Sequence, residues 1–200
     1  MSNDWHIGIS YQEDIPVEFI EEFIEAVSFP GLDIKHEPRE RGVYANLEWA
    51  IPTLVIAYLA KPYFEGFLNE AGKDHYQLLK QGTLALFVRL FGEKPEKRPP
   101  RRTPLFSLVA KLEDGRSIKF IFPEGALLNE YEESLDCLYE LLSEHYSHYP
   151  MDRLTSMVAE LSSPSRSLYV EYVPRESTWV LIDPLKEAQK ARIAQEERNK

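Results

Sequence analysis

The chain of 200 residues has a single cysteine, Cys137. A lone thiol closes no intrachain disulfide and cannot build a cysteine-rich zinc site, which points to a reducing, cytoplasmic setting. Long apolar runs are missing as well. Residues 49–60, interrupted by Pro52, fall short of the roughly twenty needed to span a bilayer. The opening Met1-Ser2-Asn3-Asp4-Trp5 has neither a basic nor an apolar stretch, so no secretory signal is expected.

Positive charge is in deficit. Lys and Arg number 23 against 33 Asp and Glu, for a net charge of −10. Such a field repels nucleic acid and anionic lipid surfaces, so neither is an expected partner. Glycine patterns that cradle phosphates are absent too. Between Gly66 and Gly72 lie five residues rather than four, and Asp74 rather than Ser or Thr follows Lys73. No spaced glycine triplet follows a strand, and no cofactor is implied.

What is present suits a folded core: 44% of residues are apolar and 12% aromatic. The densest apolar run, 53–60, has the length of a buried strand and none of the alternation of a half-exposed one. Residues 6–11 and 32–37 alternate and predict two further strands. Between them the three-to-four spacing of Phe19, Ile20, Phe23, Ile24 and Val27 predicts a helix over 17–27, with Asp14 as its cap and Pro38-Arg39 in the turn after the second strand. One or two helical turns are expected over 43–50. Residues 62–91 read as helix broken near 71–74, with Asp74 capping the second part and Gly66, Gly72 and Gly82 each costing about 1 kcal/mol relative to alanine.

The segment 93–104 carries four prolines and a basic cluster of Lys94, Lys97, Arg98, Arg101 and Arg102, which reads as a solvated connector. A hairpin over 105–123 follows. A three-residue turn with Gly115 in the left-handed conformation opposes Leu108 to Phe120 and Ala110 to Ile118, gathering one apolar face and leaving Lys111 and Lys119 on the other. An amphipathic helix with an acidic flank is expected over 127–146, a short helix capped by Asp152 after it, and a second hairpin at 168–173 and 178–182.

The fold class is therefore α/β or α+β, a mixed sheet with flanking helices. It divides into a βαβ-like lobe (1–92), the connector (93–104), a lobe of two hairpins and helices (105–183) and a charged helical tail (184–200). If the two lobes share one sheet, 1–183 is a single domain.

No motif compels a chemistry. Asp74 and His75 are the candidate acid–base pair, against the plainer reading of a capping aspartate beside a packed histidine. His145 and His148 could hold a metal only if a third ligand arrived from elsewhere; otherwise they sit favourably at a helix C-terminus, and no metal is expected. The leading expectation is a non-enzymatic, regulatory or inhibitory protein-binding module, immunity-type proteins being one example. It would meet a basic protein partner through Tyr131, Glu133, Glu140, Glu144, Tyr169, Tyr172 and Trp179. The alternative is an enzyme or small-molecule sensor with a pocket at the end of strand 53–60, near Asp74 and His75.

Overall fold

The structure is a computed structural model and describes residues 5–40, 51, 53–67, 71–98, 105–159 and 166–183; for 65–67 and 71–74 the backbone alone is described. Among these, seven strands form one mixed sheet in the order β2-β1-β3-β4-β5-β6-β7. The strands are β1 (Ile7–Gln12), β2 (Ile34–Arg39), β3 (Val55–Leu59), β4 (Phe106–Lys111), β5 (Ser117–Ile121), β6 (Ser167–Val173) and β7 (Thr178–Ile182). Strands from both halves of the chain thus belong to the same sheet.

Helices make the parallel steps, as a parallel pair requires a crossover. The helix α1 (Val17–Val27) joins β1 to β2, α2 (Lys61–Phe67) and α3 (Ala71–Phe91) join β3 to β4, and α4 (Leu128–His148) and α5 (Arg153–Ala159) join β5 to β6. The β4–β5 and β6–β7 pairs are antiparallel hairpins. The first β4–β5 register is the predicted one, Leu108 opposite Phe120 and Ala110 opposite Ile118, with Gly115 at φ +85°.

The strand β3 does not extend a βαβ series beyond β2. It lies on the other side of β1 and runs antiparallel to it, so β1 is flanked by both. Its Val55, Ala57 and Leu59 join the core beneath the helices, while Ile56 on the opposite face is also buried. The helix-side core contains Ile20, Phe23 and Val27 of α1, Leu79, Leu86 and Phe87 of α3, and Tyr131, Leu135 and Leu138 of α4. Phe87 is its aromatic hub, with ring centroids 4.9 Å from Phe106, 5.0 Å from Phe122 and 4.9 Å from Tyr131.

Several local expectations are corrected. Asp14 does not cap α1; Pro16 occupies the cap position and no side chain bonds there. Pro38 and Arg39 are the last residues of β2 rather than a turn, which an edge strand permits because proline's missing N–H can face outward. Residues 71–74 lie within the first turn of α3, so Asp74 is inside the helix rather than capping it; its side chain is outside the described set. Within the connector, Pro95 is buried in a 3₁₀ turn (Pro95–Lys97), and Arg98 donates to the carbonyl of Leu90. The helical turns expected over 43–50, connector residues 99–104 and the 184–200 tail fall outside the described residues.

Gly82 shows why a glycine stands in the middle of α3. A Cβ there would lie 2.5 Å from Cγ1 of the fully buried Val27, so the missing side chain sets the approach of α1 to α3. Intrinsic propensity favours alanine by about 1 kcal/mol, whereas overpacking costs about 1–3 kcal/mol. We expect Gly82→Ala to be destabilising in denaturant titration; a stabilised variant would show that the two helices do not pack as described.

Candidate functional site

Each histidine the sequence singles out has a definite place. His75 is fully buried on α3. Its Nε2 lies 3.2 Å from the carbonyl of Val27, which only accepts, so Nε2 carries the proton. Nδ1 then accepts from the Tyr63 hydroxyl at 3.1 Å. The carbonyl of Val27 ends α1 and has no intrahelical partner, so His75 acts as a cap for that helix. Burial holds its pKa below the ordinary histidine value despite the bond to Val27, which keeps the ring neutral. With both nitrogens engaged and no exposed surface, His75 is a packing and capping residue rather than a general base.

His145 follows the same logic. Its Nε2 accepts the backbone N–H of Glu113 at 3.1 Å, so the proton sits on Nδ1, which donates to Asp152 at 2.9 Å. Asp152 also accepts from the backbone N–H and the hydroxyl of Thr155, capping α5 as the sequence suggests. Burial pushes the Asp152 carboxyl up, but the bonds from Thr155 and His145 outweigh it and hold the carboxyl below its ordinary value. An oriented Asp–His pair resembles half of a catalytic relay. Here the nitrogen a nucleophile would need is occupied by the hairpin turn. His148 is exposed, and no cluster of three or more metal-ligating side chains occurs among the described residues. Burial raises the thiol pKa of the half-buried Cys137, away from thiolate chemistry.

The aromatic binding candidates are interior. Tyr131, Tyr169, Tyr172 and Trp179 are all buried, Tyr131 donating to the carbonyl of Pro123 at 2.6 Å and Trp179 to that of Ser134 at 3.2 Å. The tyrosine and tryptophan side chains expected as interface anchors therefore pack the fold. The acidic candidates remain outside, Glu133 and Glu140 being exposed. Part of the flank of α4 is already neutralised. Lys80 of α3 lies 2.9 Å from both Glu132 and Asp136, Tyr76 donates to Asp136, and the Arg153 guanidinium holds the Glu144 carboxyl below its ordinary range.

The outer face of α1 is different. Glu18, Glu21, Glu22 and Glu25 are all exposed, and the helix bears no basic side chain. Glu22 is held by Arg89, with bonds of 2.8 and 2.9 Å.

The opposite sheet face carries enclosed polar groups, among which sequence alternation assigns Lys119 to the polar side of its hairpin. Lys119 is 2% exposed and donates to the Ile51 carbonyl at 2.7 Å. Arg39 reaches across the sheet end to the carbonyls of Ser10, Thr53 and Leu54. The hydroxyls of Ser10 and Ser107 are buried there without a hydrogen-bonding partner among the described residues. Farther along the same face, a cavity of about 460 Å³ opens over β2, β1 and β3, lined by Trp5, Gly8, Ser10, Lys35, Glu37 and Tyr58 among others. Trp5 has no periodicity to announce its role, and Gly8 reads as an ordinary strand position.

No protein-family model, curated protein or solved structure matches this chain. No helix of the described residues is long and apolar enough to cross a membrane.

Burial, reinforced by the like charge of Arg39, lowers the Lys119 pKa from 10.5 to about 7. Between those values the unfolded chain binds more protons than the folded one, so this group makes stability rise with pH from about 7 toward 10. Lys119→Met should remove that rise and stabilise the protein at neutral pH, as read by denaturant midpoints across the range. An unchanged slope would contradict the burial of the ammonium.

Proposed function

We propose that the protein is a non-enzymatic binding module that meets a basic protein partner through the carboxylates of its helical layer, in a regulatory or inhibitory role. The observation that carries this reading is the outer face of α1, where Glu18, Glu21, Glu22 and Glu25 are all exposed. Like charges three and four residues apart weaken a helix by a few tenths of a kcal/mol per pair. Only Glu18 lies in the first turn, where the helix dipole favours an acid. The pattern is thus poor for the helix itself and good for steering a cation-rich surface. The exposed Glu133 and Glu140 of α4 extend the same sign of charge.

The competing enzymatic reading loses its acid–base residue, because His75 has both nitrogens engaged inside the core. Reversing three charges that make no ion pair among the described residues, Glu18→Lys, Glu21→Lys and Glu25→Lys together, tests the proposal. Unaltered protein used as bait in a native lysate should retain a basic protein at low salt. The triple variant, with unchanged thermal stability, should lose at least tenfold of that capture. Equal capture by both baits, or no specific partner at either salt concentration, would refute the reading.

A further inference from the structure

We infer that the cavity over β1 binds a small ring-bearing zwitterion, of the class of the free aromatic amino acids. At about 460 Å³ it falls within the range of small-molecule sites, about 300–1,000 Å³. Its shape follows from register. Gly8 stands between Lys35 on β2 and Tyr58 on β3, and Ser10 between Glu37 and Ile56, so two small residues form a trough between strands that carry long side chains. The ring of Trp5 lies over that trough, and a Cβ on Gly8 would sit 3.2 Å from Trp5 Cζ3.

The lining has three chemically distinct parts. Trp5 and Tyr58 make an aromatic corner, with ring centroids 6.4 Å apart and planes at 77°, which offers one face and one edge to a flat ring. Ser10, only 3% exposed, is turned by strand alternation toward the floor beneath them, its enclosed hydroxyl without a hydrogen-bonding partner among the described residues. At the rim, Lys35 and Glu37 are two residues apart on the same strand face with opposite charges.

Lys35 lies 3.9 Å from Asp33 with its side chain 64% exposed, and Glu37 makes no ion pair among the described residues. Both charges are thus placed to take the carboxylate and the ammonium of one ligand. A purely cationic or anionic ligand would satisfy one and oppose the other. Because α1 packs on the opposite face of the sheet, this site and the acidic helix stand or fall separately.

The full chain, labelled with ¹⁵N, should be titrated with L-tryptophan, L-tyrosine and L-phenylalanine, and in parallel with tryptamine and indole-3-propionate. Saturable amide shifts confined to Gly8, Ser10, Lys35, Glu37 and the Trp5 indole are expected from the amino acids. Affinity should be about tenfold weaker for the amine and for the acid, each lacking one charged contact. Lys35→Gln and Glu37→Gln, both surface changes that leave the fold intact, should each weaken the zwitterion about tenfold. The inference is overturned by an absence of shifts at millimolar amino acid. Equal binding of tryptamine or indole-3-propionate, or affinity indifferent to both rim variants, would overturn it as well.

Discussion

The pairing of β3 with β4 is the contact on which the architecture depends. Val55 lies opposite Phe106, Ala57 opposite Leu108 and Leu59 opposite Ala110, and the other edge of β3 is taken by β1. A strand whose hydrogen bonds are taken on both edges and whose side chains are buried on both faces has no solvent-exposed alternative of comparable energy. Through it the β1-α1-β2 unit and the two hairpins share one sheet and one helix-side core. Phe87 of α3, inserted between β3 and β4 in the chain, then packs against Phe106 and Phe122 from the C-terminal half.

The two sheet faces carry different burdens. Beneath the helices the two buried histidines are fully bonded, although the hydroxyls of Tyr139 and Tyr172 are buried there without a hydrogen-bonding partner among the described residues. His75 closes the end of α1, and His145 ties α4 to the β4–β5 turn and to Asp152. On the other face Ser10 and Ser107 keep buried hydroxyls without partners among the described residues, and Lys119 is enclosed beside the charge of Arg39. An unsatisfied buried polar group costs about 1–3 kcal/mol, so this face is sustained by the packing of the first. Such groups mark where a structure gives up stability, and such places are often the ones that recognise other molecules.

Much of the architecture was legible because it rests on local rules. The apolar run of 53–60 announced an interior strand, Gly115 fixed the hairpin register through its positive φ, and the apolar spacing within α1 and α4 gave their lengths. The rest depended on contacts between distant segments. Pro38 looked like a turn because nothing in the sequence says that β2 is an edge. Lys119 fell on the polar side of its hairpin by alternation, yet whether that side is covered is decided outside the hairpin. Tyr169, Tyr172 and Trp179 have the composition of an interface, but the same surface area serves a core equally well. His75 stands four residues before Leu79 and eleven before Leu86, on the buried stripe of α3. That spacing is the one sequence signal that could have marked it as interior.

Native-state hydrogen exchange across a low denaturant series tests the central role of β3 most directly. If β3 joins both halves into one cooperative unit, the amides of β1, β3, β4 and β5 exchange only through global unfolding, and their opening free energies merge on one denaturant-dependent line. Separate lines for β1–β3 and for β4–β5, with the N-terminal strands opening while the hairpin stays protected, would contradict the account.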